Sequence, residues 1–378
     1  MTTATAWTRE HLARIRDDGA VAPVIGHGDV APVLAGHDAW DVGPIRLPDG
    51  EIAPLGPGEV WLVLSAPATG DPGGRHDRAR LRLAARGDDG WRDLGNVFAD
   101  GASLGTREWA GSAVYWPASE TVTVFYTAAG RRGEHGRSFQ QRIASATARV
   151  DGAGGGPLLT GWSDHREVIR ADGAIYQPAD EADGEPGFIK AFRDPFFFCD
   201  PADGRNHLLF TGSLAGATSD FNGAIGLATA DGADGFALRP PLVTADGVNN
   251  ELERPHVVVH GGRYYLFFST QRRTFHPDVT GPTGLYGFVA ERFSGPYRAV
   301  NGSGLIVQNP PDEPSQAYSW LVLNDLRVAS FVDSYALGGR ALAEIEAEGP
   351  AASRRHFGGT MAPMLRLVLD GDEARLAT

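Results

Sequence analysis

Cysteine is almost missing from this 378-residue chain, where Cys199 stands alone. One thiol excludes an intrachain disulfide and a thiolate-built metal cluster, and it leaves the redox compartment open. Positive charge is also short: 34 Lys and Arg face 47 Asp and Glu, a formal net charge of −13. Such a balance repels a phosphate backbone, and no basic cluster interleaved with aromatics offsets it, which argues against nucleic acid as a partner. No apolar run approaches the roughly 20 residues of a membrane-spanning helix, so no membrane partner is expected. The opening segment, Met1 to Trp7, lacks the basic start and apolar core of a secretory signal. The 11 histidines show no His-Glu-x-x-His spacing, so no metal and no cofactor are assigned. Gly-rich Asp151–Gly156 lacks the Lys-Ser/Thr ending of a phosphate loop and reads as a turn. A Gly-x-Ser-x-Gly nucleophile elbow is absent.

Glycine and proline, at 50 and 25 residues, are plentiful and punctuate short apolar segments. Val60–Ala66, Thr121–Thr127, His207–Thr211, His256–His260, Arg263–Ser269 and Arg327–Asp333 are strand-length and rich in β-branched or aromatic residues. His260-Gly261-Gly262-Arg263 predicts a tight hairpin. One short helix is expected at Thr8–Asp18, from a Thr8 N-cap with Leu12 and Ile15 three apart. Ala/Glu-rich Ala341–Ser353 predicts a helical excursion, while Asp200–Arg205, Ala230–Phe236 and Asp312–Gln316 read as loops. Short strands and tight turns without alternating long helices predict an all-β closed or radial architecture, with a propeller as the natural candidate. No repeat of blade length is visible, so the number of blades cannot be counted.

Three acidic sites stand far apart in the chain: Trp40-Asp41, Arg193-Asp194-Pro195 and Glu251-Leu252-Glu253-Arg254-Pro255. Retaining glycosyl transfer requires one carboxylate to attack the anomeric carbon and a second, protonated, to assist the leaving oxygen. A third can hold sugar hydroxyls in the transition-state geometry. Arg193 and Arg254 could keep these acids ionised or bind hydroxyls, and Trp40 and Trp109 could stack on a sugar face. An isolated Trp-Asp or Arg-Asp-Pro taken singly is more often a turn or a surface ion pair.

Taken together and in order, these words resemble the levansucrase/inulosucrase family of fructosyltransferases and its hydrolytic β-fructofuranosidase members. The resemblance runs from about Trp40 to Leu367. It is carried by Trp40-Asp41, Glu108-Trp109-Ala110-Gly111-Ser112, Phe192-Arg193-Asp194-Pro195 and Leu242-Val243-Thr244 leading to Glu253-Arg254-Pro255. Tyr286-Gly287-Phe288-Val289, Gly295-Pro296-Tyr297, Ala317-Tyr318-Ser319 and Gly358-Gly359-Thr360 add to it.

The resemblance implies a five-bladed β-propeller with a deep central acidic pocket, residues 1–378 forming one catalytic domain. It implies Asp41 as nucleophile, Asp194 as transition-state stabiliser and Glu253 as acid/base. Trp40, Trp109, Arg193 and Arg254 fall at the fructosyl pocket, Glu251 and Tyr318 toward the leaving group, and Gln271 and Arg272 at the acceptor side. The partners implied are sucrose or another fructoside as donor and a sugar or water as acceptor, and the location implied is extracellular. Oligomeric state is not implied.

Several positions depart from the family pattern. Ala110 replaces a serine that usually supports the nucleophile, so Asp41 is either less firmly oriented or held from elsewhere. Gln271 stands where relatives tend to carry His or Arg, and Thr211 where they often have Glu. Asn250 replaces an aspartate that ligates a structural calcium in some members. Transfer, hydrolysis of the same donor, and a sugar-binding propeller without catalysis all stay open at this point.

Overall fold

The computed structural model describes residues 4–16, 20–56, 58–151, 158–179, 185–232 and 235–377. Its strands form five separate antiparallel sheets, each built mainly from consecutive strands, which is a five-bladed β-propeller. Blade 1 starts with His37–Pro44, blade 2 with Arg107–Trp116, blade 3 with Phe192–Cys199, blade 4 with Glu253–His260 and blade 5 with Ala317–Val322. These five first strands touch in a closed ring, blade 5 meeting blade 1, and so define the axis.

The expected strands all appear, each slightly longer than its apolar run: Glu59–Pro67, Thr121–Ala129, Asn206–Ser213, Arg263–Thr270 and Arg327–Ser334 among them. His260 pairs with Arg263, and Gly261 and Gly262 take φ of 57° and 75°. Two consecutive left-handed residues match the right-handed twist of the flanking strands, and glycine adopts them without a Cβ clash. Between blades the core is apolar, with Trp40, Trp61, Trp320, Tyr126 and Phe267 fully buried.

Blade 3 gains a fifth strand from the start of the chain, where Thr5–Ala6 pairs in parallel with Val243–Thr244. Trp7 then drops into blade 4. Its ring meets Tyr286 and Phe268 edge-on at 5.0 and 5.3 Å, and its Nε1 donates to the Ser303 carbonyl at 3.0 Å. Burying an indole with its N–H satisfied makes this a firm clasp between two blades. The helix expected at Thr8–Asp18 is shorter. Only Arg9–Leu12 is helical (α1), and residues 17 and 18 lie outside the described residues. The reason is competition: farther on, Ala20 and Ala22 exchange backbone hydrogen bonds with Gln308 of blade 4, drawing the chain into an extended path.

Ala341–Ser353 becomes two helices, Leu342–Ala347 (α2) and Pro350–His356 (α3), separated by Gly349 at a φ of 97°. They enclose a small apolar core of their own, Leu337, Ile345 and Ala352. Two anchors fix this excursion. The Glu313 carboxylate accepts from the N–H groups of Leu337 and Gly338, both at 2.8 Å, and Arg354 pairs with Asp38 of blade 1 at 2.6 Å. No described helix is long and apolar enough to cross a membrane.

Candidate active site

At the axis a cavity of about 680 Å³ is lined by residues from all five blades and from the α2–α3 excursion. The first strands supply its chemistry through one repeated backbone device. Each carries a single-residue β-bulge, at Trp40/Gly43, Trp109/Gly111, Arg193/Phe196, Glu253/His256 and Tyr318/Leu321. A regular strand alternates its side chains between faces, whereas a bulge re-aims one of them. Two adjacent side chains therefore line the cavity in four blades: Trp40 with Asp41, Arg193 with Asp194, Glu253 with Arg254, and Tyr318 with Ser319. The second residue of each pair is left-handed, with φ of 45°, 60°, 50° and 61°. Blade 2 contributes Trp109 alone from this position.

Three hydroxyls stitch the blades together beneath these side chains. Ser319 Oγ accepts from Arg254 Nη1 at 2.9 Å and donates to Asp41 Oδ1 at 2.5 Å, tying blades 4, 5 and 1. Thr211 Oγ1 accepts from the Arg254 N–H at 3.1 Å and donates to Asp194 Oδ2 at 2.8 Å, tying blades 3 and 4. Thr127 Oγ1 accepts from the Asp194 N–H at 2.9 Å and donates to the Ala110 carbonyl at 3.0 Å, tying blades 2 and 3. Asp41 is thus held from Ser319, which answers the question Ala110 raised. Thr211 does not reach the cavity edge; it is fully buried and orients Asp194 from below.

Four carboxylates, Asp41, Asp194, Glu251 and Glu253, share this region with the guanidiniums of Arg193 and Arg254. Arg193 Nη2 donates to Glu251 Oε1 and, at 2.7 Å, to Glu253 Oε1, while its Nε lies 3.6 Å from Asp194 Oδ2. The Tyr318 hydroxyl donates to Glu253 Oε2. Burial pushes the Asp41 carboxyl above the ordinary aspartate range, opposed by Arg254 and the Ser319 hydroxyl and reinforced by Glu253. Burial likewise lifts Asp194 to about 7 against the pull of Arg193, with Glu253 and Asp41 adding to the rise. Glu251 is raised by burial and by Glu253. Carboxylates outnumber the guanidiniums of Arg193 and Arg254 in this cluster, and such crowding of like charge out of water raises the proton affinity of its acids.

Gln271 lines the cavity, its Oε1 accepting from Arg273 Nε at 2.8 Å. Arg272 does not line it: that side chain is exposed and the adjoining Arg273 faces the cavity instead. A backbone N–H bond from Arg272 to Thr283 at 3.0 Å fixes the turn that makes this choice. The Asn250 amide is held by protein groups at both ends, with Oδ1 accepting from the Gly187 N–H at 2.6 Å and Nδ2 donating to the Asp220 carbonyl at 2.8 Å. Lys190, the only lysine of the chain, also lines the cavity, its Nζ donating to the Asp220 carbonyl at 2.8 Å.

Sequence reasoning missed His76, whose ring stands edge-on to both Trp40 and Trp109, at 5.6 and 6.4 Å. Its ring is open to the solvent of the cavity, yet desolvation by the surrounding walls, with Arg75 and Arg193 nearby, lowers its pKa well below the ordinary value, which favours the neutral imidazole. It also missed Arg75 and Asp333. Nothing local marks these residues, since they lie in a 3-10 helix, Pro72–Arg78, and on a second strand. A smaller cavity of about 260 Å³ beside Arg80 and Glu108 is structural in character. Glu108 there accepts from the Leu81 N–H at 2.9 Å and Arg80 Nε at 3.0 Å, joining blade 2 to blade 1.

A family model described as Levansucrase/Invertase matches two overlapping stretches, residues 1–222 and 216–377. Levansucrase LscA of Pseudomonas savastanoi pv. glycinea is 33% identical over 415 residues, covering 98% of this chain and 93% of its own. The levansucrase of Rahnella aquatilis is 30% identical, covering 98% and 94%. Among solved structures, an inulosucrase from Halalkalicoccus jeotgali bound to kestose aligns with a TM-score of 0.90 at 39% identity, over 99% of this chain and 95% of that one. A levansucrase from Gluconacetobacter diazotrophicus, at 24% identity and a TM-score of 0.83 over 100% of this chain and 90% of that one, shares the fold.

Proposed function

Since the chain belongs to the levansucrase/invertase family, we propose that it is a retaining fructosyltransferase that draws a fructosyl unit from sucrose and passes it to a sugar acceptor. The observation that carries this reading is the cluster of two bulge-borne aspartates and two glutamates around Arg193 and Arg254 in one cavity. A binding propeller has no need to hold so many buried carboxylates so tightly, because each costs desolvation energy.

In this reading an Asp41 oxygen attacks the anomeric carbon of the fructosyl unit while Glu253, protonated, gives its proton to the departing glycosidic oxygen. Glucose leaves, and the fructosyl unit is bonded to Asp41. Glu253, now a carboxylate, takes a proton from the acceptor hydroxyl as that oxygen displaces Asp41. Asp194, oriented by Thr211, holds fructosyl hydroxyls, and the two indoles of Trp40 and Trp109 wall the ring. Arg193, Glu251 and Tyr318 surround Glu253 on the leaving-group side, and Gln271 lies toward the acceptor. Water entering in place of the sugar gives hydrolysis by the same residues. Because all five blades contribute to the site, the chain acts as one catalytic unit.

The test is incubation with sucrose while glucose and free fructose are followed together. Glucose in excess of fructose is the expected result, and Asp41→Asn should lower glucose release by about 10⁴-fold or more with the fold unchanged. Equal release would make the protein a β-fructofuranosidase, and undiminished release from Asp41→Asn would remove that residue from its role.

A further inference from the structure

The cavity holds a charged pair that the reaction above does not use. Asp333 lies on the second strand of blade 5, and Phe331, two residues earlier and so on the same face, also lines the cavity. Among the described residues the Asp333 carboxylate accepts no hydrogen bond and has no ion-pair partner, although Arg75, Arg273, Glu346 and Asp41 are close enough for their charges to act on it. Arg75 is equally unsatisfied. One Nη donates to the Pro72 carbonyl at 3.0 Å, while its buried Nε has no partner. Its guanidinium is fixed over the Phe357 ring at 4.6 Å and lies 5.4 Å from the Trp40 ring. These ring contacts support Arg75 without any ion pair to Asp333 among the described residues.

A half-buried carboxylate and a guanidinium whose Nε is buried without a partner, both facing one void, leave a hydrogen-bond network that a ligand can complete. A hydroxyl completes the network, since it donates to the carboxylate and accepts from the guanidinium. Leu342 and Phe357 offer apolar surface of the kind that the C–H face of a sugar ring covers. We propose that Asp333, opposite Arg75, is an acceptor-specificity residue that receives hydroxyls of the sugar taking the fructosyl group. This rests on the transfer reading above. The α2–α3 excursion then serves as the wall that keeps this acceptor against the fructosyl-enzyme rather than in bulk water.

The experiment compares wild type, Asp333→Ala and Asp333→Asn over a range of sucrose concentrations and with added kestose as acceptor. Total glucose reports formation of the fructosyl-enzyme, and the ratio of bound to free fructose reports its fate. The transfer-to-hydrolysis ratio should fall about tenfold in Asp333→Ala and about threefold in Asp333→Asn, which keeps one acceptor oxygen, with a matching rise in the kestose concentration needed for half-maximal transfer. Because Asp333 makes no side-chain hydrogen bond, both variants should fold, as a thermal midpoint checks. A wild-type ratio in both variants would overturn the proposal, and so would a fall in glucose release with the ratio unmoved, which would assign Asp333 to the donor. Absence of glucose release from the wild type would instead overturn the transfer reading itself.

Discussion

Blades 1, 3, 4 and 5 differ from blade 2 at one equivalent position. All five first strands insert one extra residue, but only four place a non-glycine residue in the left-handed region there. Those four residues are Asp41, Asp194, Arg254 and Ser319, and left-handed backbone at such residues costs on the order of 1 kcal/mol each or more. Blade 2 carries Ala110 instead, followed by Gly111, whose place no other residue can take: a Cβ there would sit 2.0 Å from the Phe125 carbonyl oxygen. The same bulge is thus strained where it must hold a carboxylate, guanidinium or hydroxyl against the axis, and closely packed where it holds only a wall. Strain at this ring falls on polar side chains that line the central cavity, and blade 2 serves as the frame behind them.

If that division is right, lesions in the two regions should separate turnover from stability. Ser319→Ala removes the donor to Asp41 and an acceptor from Arg254, so kcat should fall by about 10- to 100-fold with little change in thermal midpoint. A fall in stability without loss of kcat would erase the distinction. Gly111→Ala should do the opposite, destabilising by about 2 kcal/mol or more while the folded fraction keeps its activity, as a urea midpoint and an active-fraction count would show.

The smallest effect concerns pH. Because burial raises Asp194 to about 7 in the folded protein, against about 3.9 in an unfolded chain, the native state holds that proton more tightly. The stabilisation is complete below about pH 4 and is lost as pH climbs to about 7. Asp194→Asn should therefore melt a few degrees above wild type at pH 8, and the gap should vanish by about pH 4. A gap independent of pH would mean that the charge on Asp194 is not what the fold bears.

Much of this was legible in the chain because it is local. Strand-length apolar runs and the Gly261-Gly262 turn depend on neighbouring residues and fell where expected, and the acidic words at Asp41, Asp194 and Glu253 come together at one cavity. The blade number came only through resemblance, since the repeated unit is a backbone bulge and the five pairs that occupy it share no residue pattern. The hydroxyls of Thr127, Thr211 and Ser319 stayed hidden because their partners lie in other blades and such residues are common in strands. Arg272 was preferred to Arg273 because nothing in the local pattern tells which side of a turn will face a cavity. The helix at the N-terminus was overextended because capping and spacing were read without the competing backbone of Gln308.

Lys190 has a practical consequence. Supports used to immobilise proteins commonly couple to lysine amines, and this chain offers one. Lys190 lines the central cavity, so a bead coupled to it would sit beside that cavity. The 47 Asp and Glu side chains give carboxyl-directed coupling many other places to attach. For a biocatalyst on a solid phase, the choice of linker chemistry therefore decides whether the support must sit beside that cavity.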